Sequence, residues 1–145
     1  MATRPAKQNM FKQLKRSVAH PLCYRAKFRV TAAEINAAGG TIAIPAPSGG
    51  GIRLHDVRVT STAGTGVGSN VIITGKQGKV TTTLVAFPAT GILATTVVGV
   101  GSAGVVASGV LMNLNDSGQP LLITKDGANI TGLTGLDVSV LYSIE

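Results

Sequence analysis

The sequence is short of the residues on which disulfide-linked, membrane-spanning and aromatic-rich proteins depend. Its 145 residues include no tryptophan, three phenylalanines, two tyrosines and a single cysteine, Cys23. One cysteine excludes an intrachain disulfide framework, so we expect an intracellular site of assembly. No run of about 18 apolar residues occurs, so no transmembrane helix is predicted. The N-terminus lacks the apolar segment of a signal peptide.

Acidic residues are missing from the first 31 positions. These positions carry eight Lys or Arg residues, whereas residues 32–145 carry five basic and six acidic residues. The charge asymmetry describes a basic N-terminal segment joined to a nearly neutral domain with no predicted basic face of its own.

Signals for catalysis or for a bound metal are weak. A site built from His20, Cys23 and His55 lacks zinc-ligand spacing and a fourth ligand. His55 stands next to Asp56 without a nucleophile motif. The glycines of 99–104 match a dinucleotide fingerprint, but the following residues are poor helix formers, so a turn is favoured. We therefore expect no enzyme activity, no cofactor and no metal.

The N-terminal arm, residues 1–23, contains a potential amphipathic helix. Asn9 is suited to cap it and Pro21 to end it. A helix of this length is marginal in water, so we expect it to form against a partner surface. Its apolar stripe consists of Met10, Phe11, Leu14 and Val18. Its basic residues are Lys12, Lys15 and Arg16.

From Tyr24 the apolar period changes to two, which is typical of a half-buried strand. Apolar side chains at alternate positions up to Val30 are predicted to face inward. The other positions form a basic face of Arg25, Lys27 and Arg29.

The rest of residues 24–145 predicts one domain of short strands separated by Gly- and Pro-rich turns. About 8–9 antiparallel strands with this spacing indicate an all-β fold, a β-sandwich or jelly-roll. A shift in apolar phase at His55 and Asp56 predicts a β-bulge. The later strands are predicted at 41–46, 52–59, 69–75, 79–87, 92–99, 105–114, 120–124 and 137–144.

Two stretches carry a resemblance to a known group of proteins. "FRVTAAEINAAGGTIAIPAPSGGGIRLHDVRV" and the ending "GLDVSVLYSIE" are similar to segments of small tailed-phage virion proteins that resemble capsid cement, or decoration, proteins. The resemblance spans residues 28–145 and is weakest in the middle. It implies a β-sandwich or jelly-roll module, often trimeric, that binds the outside of an assembled head and has no active site.

We therefore expect a virion structural protein on the capsid surface, whose partners are the major capsid protein and other copies of itself, as a homotrimer. The residues expected to contact the capsid are Phe11, Lys12, Leu14, Lys15, Arg16, Arg25, Lys27 and Arg29. Two alternatives stay open: an arm that binds nucleic acid through its positive charge, and a receptor-binding or adhesin domain at a fibre tip. Membrane binding is not expected, because the apolar stripe is short and no lipidation motif is present.

Overall fold

The computed structural model describes residues 23–145, which form an all-β unit of antiparallel sheets consistent with a β-sandwich. A short helix, α1 (Ala32–Asn36), and a 3-10 turn at Ala89–Gly91 interrupt the strands. The strands of this part of the chain are β1 Cys23–Thr31, β2 Thr41–Ile44, β3 Ile52–Ser61, β4 Gly64–Val67, β5 Asn70–Gln77, β6 Val80–Pro88, β7 Val98–Gly99, β8 Val106–Ala107, β9 Leu121–Lys125, β10 Thr131–Leu133 and β11 Gly135–Ile144.

Two larger sheets enclose a common hydrophobic core. The first sheet has the order β1-β11-β3-β7 and the second the order β2-β9-β5-β6-β8, while β4 and β10 form a separate pair. Inward-facing Val, Ile and Leu side chains of both sheets join one cluster, in which Phe87 is the largest fully buried side chain. Burial of each such side chain contributes about 1.5–3 kcal/mol before the entropy cost of folding.

The first predicted strand is confirmed with its two faces. Val30 is buried, Ala26 and Phe28 are half-buried, and the basic residues Arg25, Lys27 and Arg29 at the alternate positions are exposed. Tyr24 differs from the prediction, because it remains 46 % exposed and packs on Tyr142 with ring centroids 5.5 Å apart. The strand begins at Cys23, one residue before the predicted domain boundary.

The predicted bulge at His55 and Asp56 is also confirmed. In the pairing of β11 with β3, Leu141 lies opposite Asp56 and the next residue, Tyr142, lies opposite Leu54. His55 is therefore the extra residue, which explains why the apolar pattern of β3 changes phase at this point.

Helix α1 is absent from the sequence prediction, although its signal is present. The side chain of Thr31 accepts a hydrogen bond from the backbone N–H of Glu34, and the Glu34 carboxylate accepts one from the backbone N–H of Thr31. This reciprocal capping box begins a helix of five residues, which is too short to show an apolar period. The helix carries the chain from the first sheet to the second.

The predictions of strands at 92–99 and 105–114 are wrong over most of their length. The strands in these ranges are limited to Val98–Gly99 and Val106–Ala107, which pair with β3 and β6 respectively. An apolar β-branched run forms a strand only where a neighbouring strand can pair with it, and glycines interrupt this segment repeatedly. Gly99–Gly104 forms the expected turn, closed by a hydrogen bond from the Ser102 N–H to the Gly99 carbonyl of 3.0 Å.

The β4–β10 pair also escapes the sequence prediction, which places no strand at Gly64–Val67 or at Thr131–Leu133. A side chain at Gly64 would overlap the backbone of Gly132, and one at Gly132 would overlap the backbone of Thr65. The glycines that resemble turn signals therefore permit close approach of two strands.

Asn115 and Gly75 form a tight contact inside the second sheet. Asn115 is 2 % exposed and donates a hydrogen bond of 2.9 Å from its side-chain nitrogen to the carbonyl of Ile52. Its side-chain oxygen has no hydrogen-bond partner among residues 23–145 and occupies the space that a side chain at Gly75 would need. Glycine at position 75 is therefore required by a buried neighbour, at a position without a positive φ angle.

We predict that Gly75→Ala lowers the free energy of unfolding by about 1–3 kcal/mol, because the added methyl group overpacks against Asn115. Urea unfolding followed by circular dichroism measures the change. The matched control is Gly49→Ala, at an exposed position where an added methyl group meets open space, and it should change stability by less than about 0.5 kcal/mol. Equal effects of the two substitutions would contradict the packing argument.

Candidate functional site: a basic groove on the first sheet

The outer face of β1 presents a row of cations. Arg25, Lys27 and Arg29 occupy alternate positions of an extended strand and are all exposed. Alternate residues of a strand lie roughly 7 Å apart on the same face, so the three charges form a regular line along the sheet.

A small residue of β11, Ser139, separates this line from a fourth cation, Arg58. In the register of the sheet, Lys27 lies opposite Ser139, and Ser139 lies opposite Arg58 on β3. Ser139 is short, whereas its neighbours on the two adjacent strands, Lys27 and Arg58, are long. The space above Ser139 is therefore a depression with basic walls. It belongs to an open groove of about 680 Å³, whose wall also includes the exposed apolar side chain of Val97.

Two of the four cations are neutralised by carboxylates of the same face. Arg29 donates two hydrogen bonds to Asp137, of 2.9 and 3.4 Å, and Arg58 donates one of 3.1 Å to Asp56. The hydrogen bond to Asp137 and its negative charge raise the pKa of Arg29 above its usual value. Both ion pairs are exposed and contribute little to stability, but they fix the orientation of the guanidinium groups.

The other two cations keep their charge available. Arg25 donates a hydrogen bond of 2.8 Å to the Ser139 hydroxyl, which is neutral. Lys27 makes no side-chain hydrogen bond or ion pair within residues 23–145. A groove with two uncompensated cations and a hydroxyl at its floor is suited to bind carboxylate or phosphate groups.

The structure thus brings together three of the residues predicted to contact a partner, Arg25, Lys27 and Arg29. The five others, Phe11, Lys12, Leu14, Lys15 and Arg16, lie outside the described residues, as does the predicted helix of the arm. Residues 32–145 add one cation to the groove, Arg58, which is paired with Asp56, so the uncompensated charge of this face comes from β1. The bulge of β3 and the pairing of β3 with β11 place Arg58 beside the groove. This pairing joins distant segments, so the pattern of a single strand does not predict it.

A second polar cluster lies on the same face near the end of β11. The His55 ring nitrogen Nε2 lies 2.9 Å from the Ser143 hydroxyl, and that hydroxyl donates to Glu145 at 3.2 Å. Glu145 also accepts two hydrogen bonds from Arg53. The neighbouring His and Ser resemble part of a hydrolytic site. Ser143 is only 2 % exposed, however, so its hydroxyl is closed to a substrate.

This cluster instead fastens the end of β11 to β3. Hydrogen bonding from Arg53 lowers the pKa of Glu145 from its usual value, partial burial opposes this effect, and hydrogen bonding from Ser143 adds to it. Arg53 also donates a hydrogen bond of 2.7 Å to the carbonyl of Met112, so the same guanidinium holds the long segment before β9.

Two further kinds of feature, a membrane-spanning helix and a metal-binding cluster of side chains, are absent from the described residues. Within residues 23–145, no helix has the length and apolar character needed to cross a membrane. In the same range, no group of three or more His, Cys, Asp and Glu side chains is placed to hold a metal ion.

No protein-family model matches the chain, and neither a curated protein nor a solved structure shows a significant match to it. The described residues thus define a small all-β unit with a basic groove on the outer face of its first sheet.

We predict that Glu145→Gln destabilises the protein at neutral pH and that this difference shrinks in acid. A lowered pKa in the folded state means that the charged carboxylate stabilises the fold above the usual carboxyl pKa. The stabilisation is lost as pH falls through the folded-state pKa. Unfolding midpoints of the wild type and of Glu145→Gln between about pH 7 and pH 2 measure this dependence.

Arg53→Met supplies the control in a double-mutant cycle, because the variant removes the first cause of the pKa shift. In that background Glu145→Gln should have a smaller effect at neutral pH than in the wild type. A coupling that is as large at the acid end as at neutral pH would contradict the ion-pair explanation.

Proposed function

We propose that the protein is a non-enzymatic structural protein of a tailed-phage virion, a cement or decoration protein that binds an acidic surface of the capsid. The observation that carries this proposal is the basic groove, in which Arg25 and Lys27 have no carboxylate partner among residues 23–145. The groove follows directly, along the chain, from the basic segment of residues 1–22. Both therefore offer positive charge to a single partner.

The character of the fold supports a binding role. A stable sandwich-like unit with one charged outer face provides a rigid platform, and its polar side chains are used for capping and fastening. Ser143, the hydroxyl with a histidine neighbour, is buried. These features agree with a protein that functions by binding a partner through its surface.

The finer parts of the proposal come from the resemblance in sequence. They are jelly-roll connections, a homotrimer, the major capsid protein as partner and a position on the capsid surface. A trimer that bridges several capsid subunits gains affinity from multivalency even where each contact is weak. The basic residues of the first sheet would then repeat three times around the assembly.

Nucleic-acid binding is the second candidate, and the same groove favours it. Arg25 and Lys27 are suited to bind phosphate groups as well as carboxylate groups. The two candidates differ in their dependence on salt and on the partner, because binding to DNA loses affinity steeply as salt rises. Filter binding with duplex and single-stranded DNA measures this. Affinity in the micromolar range or tighter, with a steep salt dependence, would favour the second candidate.

We predict that the double variant Arg25→Glu and Lys27→Glu reduces the binding of the protein to isolated phage heads by at least about tenfold, because it places four carboxylates on the groove face. Sedimentation of heads with labelled protein gives the affinity. Lys76→Glu changes an exposed charge on β5 of the second sheet and should retain binding within about twofold. Equal losses in the two proteins would contradict a role for the groove.

We also predict that removal of residues 1–22 abolishes head binding while the remaining chain stays folded. The buried core residues of the described range, 23–145, lie between Val30 and Val140, so the circular dichroism spectrum and the unfolding transition should be retained. Undiminished decoration of heads by the truncated chain would remove the arm from the proposal. The groove would then be the sole contact under test.

A further inference from the structure

The strand β1 is an open edge of the first sheet. Its nine residues pair with β11 on one side, and no described strand lies on the other. Every second residue of an edge strand directs its N–H and C=O groups away from the sheet. The strand therefore offers about four residues whose backbone groups can pair with an added strand.

A groove runs along this edge between the two sheets. It has a volume of about 380 Å³ and is lined by the central residues of β1 and by Thr41–Ala43 of β2, the edge strand of the second sheet. Ala26 and Phe28 are only half-buried there, and Ile42 is 56 % exposed. Apolar side chains from a partner strand would cover these three residues.

The charges of β1 decide which partner fits. A second copy that paired antiparallel through the same strand, centred on Lys27, would place Lys27 opposite Lys27 and Arg25 opposite Arg29. Parallel pairing in register would also oppose like charges. Like charges directly opposite each other on a sheet destabilise the pairing. A strand with carboxylates at these positions is stabilised instead.

Alternation of side chains then gives the pattern of the partner. Residues opposite Arg25, Lys27 and Arg29 point to the outer, basic face, whereas residues opposite Ala26 and Phe28 point into the groove. The one acid of the groove, Glu34, is occupied by its hydrogen bonds to Thr31. The complementary segment therefore alternates acidic and apolar residues.

We infer that the open edge of β1 binds an extended segment of the partner protein in which acidic and apolar residues alternate, and that this segment adds a strand to the first sheet. The inference rests on the proposed function, since it names the chemistry of the capsid segment that the basic face would contact. Main-chain hydrogen bonds supply affinity in this mode of recognition, and alternate side chains supply specificity.

The experiment titrates the 145-residue protein with capped nine-residue peptides and follows amide signals by NMR. The parent peptide alternates Val and Glu, and its charge control replaces each Glu by Lys. We expect the parent to shift signals of β1 and β2 and to slow hydrogen exchange at β1 amides. We expect the Lys peptide to bind at least about tenfold more weakly.

Two N-methylated peptides separate strand addition from charge attraction. The amide and carbonyl groups of the Val residues face one edge of an extended peptide, and those of the Glu residues face the other. Methylation of the Val amides or of the Glu amides therefore blocks one edge at a time, without changing the charge. Strand addition predicts that one of the two peptides loses about tenfold in affinity and the other does not.

Lys27→Glu tests the pairing of charges in the protein. It should weaken binding of the Glu peptide and strengthen binding of the Lys peptide, while the amide spectrum outside β1 shows that the fold is retained. Equal binding of both N-methylated peptides, or no binding of the parent at millimolar concentration, would overturn the inference.

The outcomes also separate this inference from the proposed function. If heads are decorated but the peptides bind without regard to N-methylation, the added strand is wrong and the cement function stands. If the peptides bind by strand addition but heads are not decorated, the edge accepts an acidic strand and the proposed capsid partner is wrong.

Discussion

The pairing of β11 with both β1 and β3 is the interaction on which the rest of the structure depends. It joins residues 23–31 to residues 52–61 through the end of the chain, and its two ladders run almost the full length of the strands. One face of β11 contributes Leu136, Val138 and Val140 to the core. The other face spaces the cations, because Ser139 separates Lys27 from Arg58. Packing and recognition therefore share one strand, and a shift of register by one residue would exchange the two faces.

The ion pairs of the outer face reduce the positive charge of the groove without cancelling it. Asp137 neutralises Arg29 and Asp56 neutralises Arg58, so the groove keeps the positive charge of its other two cations. Full neutralisation would remove the attraction to an acidic partner, whereas four free cations within one row would repel each other and destabilise the sheet. The observed arrangement limits this repulsion and keeps Arg25 and Lys27 available. Exposed charges of this kind act more on association rate and partner choice than on folding stability.

Local patterns predict this protein well where one strand suffices, and poorly where two elements must meet. The period of two from Tyr24 to Val30 and the phase change at His55 each lie within a strand, and both are confirmed. The short strands within 92–114 depend on which sheet edge is free, and the β4–β10 pair depends on glycines that admit another backbone. Arg58 joins the site through a register between distant segments. The capping box of Thr31 and Glu34 is a local signal, and it predicts α1 when the motif is sought.

The cations of β1 serve two requirements that a free edge imposes. A strand of nine residues with no described partner on one side is a hazard, since identical edges of two molecules can pair and begin aggregation. Lys27 and its two arginine neighbours oppose such self-pairing by charge. The same charges leave the edge open to a strand of opposite sign, so protection against other copies and selection of the proposed acidic partner would have one physical origin. An edge covered by a loop or a proline would gain the protection and lose the surface that the proposal requires. If the edge binds that partner, charge achieves both ends with three side chains.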